Sequence, residues 1–268
     1  PLVLGHEIIG EVEQLGDGID RDSYGQPLRV GDRVSWSIAA SCGACFYCDH
    51  ALPQKCDDLR KYGHLSSVES PSLTGGFAEH VVILPGTAVF KVPDRLTDAI
   101  AAPANCALAT VVHGITAIGL TQGETVLIQG AGLLGLNLCA LACERGAESV
   151  IVVDRSAARL ELAKKFGAHH VLDASELAHE SLVGTVRDLT SGRGADVAFE
   201  VCGAKEAIPV GLDALRIGGR YLITMVTPGN AVELDGNTLT RRCLTLHGIH
   251  NYTGEHLGEA LRFLENVA

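Results

Sequence analysis

The run Gly130-Ala131-Gly132-Leu133-Leu134-Gly135 follows the apolar segment Val126-Leu127-Ile128 directly and opens a helical pattern over Leu136 to Glu144. The motif alone is weak evidence, and a merely structural glycine turn is the alternative, but this strand-to-helix context is the required one. Gly130 permits the tight turn, Gly132 lets the backbone approach a pyrophosphate, and Gly135 allows the helix to pack closely. The first amides of the helix, those of Leu133 and Leu134 among them, then face an anion that the helix dipole favours. The expectation is a dinucleotide site on a parallel α/β sheet.

The flanking pattern agrees with that expectation. Apolar strands are predicted at Thr125–Gln129, Ser149–Asp154, His170–Leu172, Asp196–Glu200, Arg220–Thr224 and Thr245–Gly248. Helices are predicted around 133–145, 156–166, 176–190 and 205–215, so βαβ units build a doubly wound, six-stranded sheet. Upstream the texture is β-rich: Ile8 to Leu15, Arg33 to Ile38 and Phe77 to Leu84 read as short strands between Gly, Asp and Pro. We therefore expect a β-rich domain over 1–107 and a Rossmann domain over 108–250, followed by 251–268, in which Glu255 to Ala268 has a helix pattern. The chain starts at Pro1 with no initiator Met or leader pattern, and both ends read as cut.

Asp154 closes the second strand, where a carboxylate can accept hydrogen bonds from the adenosine ribose hydroxyls and repel a 2′-phosphate. That points to NAD over NADP. The following Arg155 is the opposing signal, since a guanidinium attracts a 2′-phosphate. As an alternative, Asp154 serves as a helix N-cap, a role open to Ser156 as well.

Nine cysteines would suit a disulfide scaffold in a short secreted chain, but this one has 268 residues. Four of them form Cys42-x2-Cys45-x2-Cys48-x7-Cys56, with Gly43 and Ala44 leaving room for the loop to wrap an ion. Four thiolates complete a tetrahedral zinc and leave no place for water, which makes the site structural. An iron–sulfur cluster or a disulfide pair is the alternative. Reduced thiols of this kind fit the cytoplasm.

The formal charge is −11 at pH 7, which gives no electrostatic footprint for nucleic acid. Apolar stretches are broken by Gly, charge or Asn before they reach bilayer length. The expected partner is a small molecule, with no nucleic acid and no membrane.

Gly5-His6-Glu7-Ile8-Ile9-Gly10, the four-cysteine loop and the glycine motif occur in that order. This arrangement resembles the zinc-dependent medium-chain alcohol dehydrogenases over nearly the whole chain, and it implies a GroES-like catalytic domain ahead of the Rossmann domain, with 251–268 the start of a return to that first domain. The resemblance implies that His6 ligates a catalytic zinc and that Glu7 sits behind the metal. It places a further ligand at Cys106 in Pro103-Ala104-Asn105-Cys106-Ala107, and nicotinamide or ribose contacts at Thr110, Val201 and Cys202, with Arg159 near the adenosine. The family's first zinc ligand, an upstream cysteine with a nearby Ser or Thr, has no counterpart in this sequence.

Leu59-Arg60-Lys61-Tyr62-Gly63-His64 and Gly248-Ile249-His250-Asn251-Tyr252 are similar to a subgroup associated with phosphonate catabolism. The implied reaction is hydride transfer between NAD and a small alcohol, with Arg60, Lys61 or His64 facing a phosphonate group. A solvated basic turn explains the same three residues. The rival readings are a polyol or threonine-type dehydrogenase, and a non-catalytic NAD-binding zinc protein. A homo-oligomer, dimer or tetramer, is implied by the resemblance.

Overall fold

The computed structural model describes residues 2–66, 68, 73–224 and 231–267. Contacts divide the chain into two compact units, Pro1–Val112 with Asn251–Ala268, and His113–His250. Composition places the first boundary at 107/108; the division by contacts falls a few residues later, inside a helix.

In the first unit β1 (Gly10–Glu11), β2 (Arg33–Trp36) and β5 (Val89–Lys91) form an antiparallel sheet, and β3 (Ala39–Ala40) pairs with β4 (Arg60–Lys61). Ile8, Leu28, Val34, Trp36, Ala40, Tyr62 and Leu84 close its core. Helices here are short, α1 (Phe46–Asp49) and α2 (Asp98–Ala101), until α3 (Ala107–Ile118) leads into the second unit.

Two strand expectations need correction. Of Ile8 to Leu15, two residues, Gly10 and Glu11, form ladder pairs. Phe77 to Leu84 forms no strand at all. The reason is a close backbone crossing: Gly76 and Phe77 donate to the carbonyls of Gly5 and Leu4, and a methyl on Gly75 would lie 2.0 Å from the Val3 carbonyl oxygen. These isolated contacts satisfy the backbone in place of a ladder and override the local β pattern.

In the second unit the six strands are all parallel: β6 (Thr125–Gln129), β7 (Ser149–Asp154), β8 (His170–Asp173), β9 (Ala195–Glu200), β10 (Leu215–Ile223) and β11 (Thr245–Gly248). Their order is β11-β10-β9-β6-β7-β8. Every residue of β6 is buried, as a strand covered on both faces requires. The connecting helices are α4 (Leu133–Glu144), α5 (Ala157–Lys165), α6 (His179–Leu189), α7 (Ala207–Ala214) and α8 (Gly236–Arg241). The chain runs from β6 outward to β8, then restarts at β9 on the other side, so the carboxyl ends of β6 and β9 mark the switch point where such sheets bind ligands. This is the expected doubly wound Rossmann fold. It differs in that β10 begins at Leu215, ahead of Arg220, with a register shift between the two.

The last helix, α9 (Gly254–Val267), belongs to the first unit. No single helix among the described residues is long and apolar enough to cross a membrane.

Candidate functional site

The glycine turn lies at the carboxyl end of β6, and its three glycines do different work. Gly130 has φ +115°, and a methyl there would meet the Cys202 Cβ at 2.9 Å. A methyl on Gly135 would lie 1.8 Å from the Gly130 carbonyl oxygen. A methyl on Gly132 meets nothing within 4 Å. Two glycines therefore let the strand, turn and helix pack together, while the third leaves open space over the N-terminus of α4. Leu133 is half exposed at that terminus, and Leu134 is partly buried. A cradle of free amides with open space above suits a pyrophosphate.

Asp154, at the end of β7, lies beside this turn. Its Oδ2 accepts the Ala131 amide at 2.7 Å and its Oδ1 accepts the Ser156 amide at 2.9 Å. Each carboxylate oxygen retains a lone pair for a ribose hydroxyl. Ser156 holds the N-cap position of α5 but makes no side-chain capping bond, and the Asp154 carboxylate binds the amide of Ser156 itself, ahead of the first helical turn. Arg155 and Arg159 are both exposed.

Val201 and Cys202 follow β9. Val201 is buried and donates its amide to the Gln129 carbonyl at 3.0 Å, while Cys202 packs on Gly130. Burial, with the Glu200 carboxylate adding to it, pushes the Cys202 thiol up to about 11, so it stands as a neutral thiol.

The thiols of Cys42, Cys45, Cys48 and Cys56 lie within 4.8 Å of one another. The Cys45–Cys48 and Cys45–Cys56 sulfur separations are 3.5 and 3.9 Å, too long for disulfides. A tetrahedron with zinc–sulfur bonds of ~2.3 Å has edges of about 3.8 Å, close to these two separations, so the donor set suits zinc. Amides of Asp57 and Cys48 aim at Cys45 and bring its thiol down to about 6. Burial pushes Cys56 up to about 11. The short α1 and the 3-10 turn Pro53–Lys55 supply the backbone that turns these sulfurs inward.

His6 and Cys106 both belong to the first unit. Burial foremost, then Lys61 and His64, hold His6 below its ordinary value, which favours the neutral ring that ligates metals. Burial and then Glu7 push the Cys106 thiol up, with Lys61 opposing them. Lys61 thus acts on both residues. The His6 and His64 rings are 5.3 Å apart. A glycine allows this approach: a methyl on Gly63 would lie 2.5 Å from the Gly5 carbonyl oxygen, so the two segments pass this closely because Gly63 lacks a side chain. Among the described residues the four cysteines are the one group of three or more such donors gathered within 4.8 Å, and His6 and Cys106 belong to no such group. An imidazole and a thiol still suit zinc by type. Glu7 is exposed, and Thr110 turns its hydroxyl back onto the Cys106 carbonyl at 2.7 Å.

Three contributors escaped the sequence reading. Glu200 is fully buried beside the glycine turn; a carboxylate ending an apolar strand was a visible signal for it. Asn105 is fully buried and donates its side-chain amide to the Trp36 carbonyl at 3.2 Å. Tyr252 donates its hydroxyl to the Asn105 carbonyl and accepts the Ile38 amide at 3.0 Å, which fixes the backbone just ahead of Cys106. No local pattern announces a partner so distant in sequence.

Comparison with known proteins bears on these sites. An alcohol dehydrogenase GroES-like domain matches residues 1–94, and a zinc-binding dehydrogenase family matches residues 134–266. An L-threonine 3-dehydrogenase of Pyrococcus horikoshii is 35% identical over 262 residues, 97% of this chain and 68% of that protein. A 5-exo-hydroxycamphor dehydrogenase of Pseudomonas putida is 33% identical over 83% of this chain, and the match spans 61% of its own length. An alcohol dehydrogenase of Thermotoga maritima superposes with TM-score 0.94 at 34% identity, covering 99% of this chain and 74% of that one. A Sinorhizobium meliloti protein described as a zinc-binding dehydrogenase, solved with NADP, gives 0.84 at 27% identity, over 100% and 73%. The order of sites, the paired domain types and these identities agree: the chain belongs to the zinc-dependent medium-chain alcohol dehydrogenase family.

Proposed function

We propose that this chain carries the machinery for hydride transfer between a small alcohol, or its carbonyl, and NAD. The observation that carries the reading is the glycine turn, closed at Gly130 and Gly135 by neighbouring atoms and open at Gly132. Asp154 favours NAD, because its carboxylate borders the turn and repels a 2′-phosphate. A relative bound to NADP and the exposed Arg155 and Arg159 are the counterweight.

His6 and Cys106 are the residues that would hold a catalytic zinc, and Cys42, Cys45, Cys48 and Cys56 a structural one. Zinc supplies Lewis-acid polarisation of the substrate oxygen, and the nicotinamide supplies the hydride acceptor. Glu7 tunes the metal side, Thr110, Val201 and Cys202 contact the nicotinamide end, and Arg159 the adenosine. The homo-oligomeric state and cytoplasmic location expected of such an enzyme belong to the same proposal, the latter supported by nine free cysteines.

For the substrate we favour an alcohol bearing a phosphonate group, on the strength of Lys61 and His64 beside His6. Arg60 is less suited, being exposed and 3.5 Å from Asp58. The relatives named as threonine dehydrogenases favour the second reading, a threonine-type substrate. NAD reduction assayed with hydroxyalkylphosphonates, L-threonine, sorbitol and simple alcohols separates them. Preference for the phosphonate that falls in Lys61→Ala supports the first reading; turnover of threonine alone rejects it.

A further inference from the structure

Glu200 ends β9 with its side chain fully buried. Its Oε1 accepts the amide of Cys202 at 2.8 Å and that of Gly203 as well. Its carbonyl accepts both the amide and the hydroxyl of Thr224, at 3.2 and 2.7 Å. Its Oε2 is buried with no hydrogen-bond partner among the described residues. One side chain thus folds the strand end back into a tight turn, and the product of that turn is the placement of Cys202.

That placement matters because Cys202 is the wall against which the glycine turn closes. A methyl on Gly130 would meet the Cys202 Cβ at 2.9 Å and the Cys202 nitrogen at 3.1 Å, and a methyl on Gly135 would meet the Val201 Cγ2 at 3.5 Å. Gln129 and Glu200 are register partners on β6 and β9, so any change in the turn after Glu200 is felt directly at the start of the glycine turn. A buried carboxylate with an unsatisfied oxygen is costly, and a well-packed apolar side chain would avoid that cost.

We propose that Glu200 is a positioning residue for the dinucleotide, which sets the Val201–Gly203 turn and through it the shape of the Gly130–Gly135 cradle. The essential property is the reach of Oε1 to two amides, not the charge. The inference rests on the dinucleotide reading above and extends it to a residue outside the cradle.

The test compares wild type, Glu200→Gln and Glu200→Asp in the full chain, by NADH and NADPH fluorescence titration and by hydrogen exchange at 201–204. Glutamine keeps the reach and loses the charge; aspartate keeps the charge and retracts the oxygen by one methylene. We expect Glu200→Asp to raise the Kd for the preferred dinucleotide at least about fivefold and to speed exchange at Cys202 and Gly203, with Glu200→Gln within about twofold. Unchanged affinity in Glu200→Asp despite faster exchange overturns the inference, as does an equal loss in Glu200→Gln. Failure of wild type to bind either dinucleotide overturns the dinucleotide reading and this inference with it.

Discussion

The Asp154 carboxylate accepts the Ala131 amide at 2.7 Å, joining the end of β7 to the middle of the glycine turn. A residue read from sequence as a ribose ligand is therefore also part of the scaffold of the glycine turn. Asp154→Ala removes the acceptor of two backbone amides. We expect it to lower stability by about 1–2 kcal/mol and to raise the NADH Kd at least about tenfold while affecting NADPH less. Urea unfolding and fluorescence titration measure both; an unchanged NADH/NADPH ratio rejects the selectivity role.

Gly132→Ala and Gly135→Ala separate ligand space from packing. Adding a methyl at Gly132 meets nothing in the free protein, so its melting temperature should match wild type while dinucleotide affinity drops. Gly135→Ala forces its methyl into the Gly130 carbonyl and should cost about 2–4 kcal/mol. Equal stability of the two variants would contradict the assignment of roles.

Zinc content tests the metal sites independently of activity. Cys45→Ser should lose one zinc per chain and expose the loop between Cys42 and Cys56 to protease, since that loop has metal ligation in place of a core. Cys106→Ala should leave this structural zinc in place. Elemental analysis of each variant decides, and retention of full zinc in Cys45→Ser would dismiss the four-thiol site.

A pH-dependent contribution is expected at Asp196. Burial opposes its ionisation, but the Arg216 guanidinium at 2.5 Å and the Thr125 amide at 2.8 Å outweigh it and hold the carboxyl below its ordinary value. A depressed folded value contributes stability above the ordinary carboxylate range and loses it as pH falls through the lowered value. Asp196→Asn should cost about 1–2 kcal/mol at pH 7, since the pair is partly exposed, and the gap to wild type should begin to narrow below about pH 4 and close only once the pH is below the lowered value. A gap independent of pH would show that the ion pair is not its source.

Tyr252→Phe deletes one hydroxyl that serves both the Ile38 amide and the Asn105 carbonyl. Both are left buried without their partner, at a cost of about 2 kcal/mol by chemical denaturation. A neutral substitution would mean that water replaces the hydroxyl.

Much of the Rossmann unit was legible in advance because each signal is local. A five-residue run buried on both faces, a GxGxxG turn and a helix cap lie next to one another in the chain, and the required backbone conformations select glycine by name. The four-cysteine loop was legible for the same reason, since its donors lie on one short segment. In the first unit the segment from Phe77 to Leu84 misled, because its β-like alternation is overridden by Gly75 and Gly76 crossing the segment Val3 to Gly5.

The sequence alone therefore determined the parallel sheet, the glycine turn and the four-cysteine cluster, whose geometry follows from neighbouring residues and from the donor chemistry of the side chains. Tertiary structure alone decided that His64 stands beside His6, that Tyr252 anchors the backbone before Cys106, and that Glu200 shapes the wall behind Gly130. Each of these depends on segments far apart in the chain, or on a side chain folding back on its own backbone. Such contacts are chosen by packing and by the need to satisfy buried amides, and short-range pattern does not encode them.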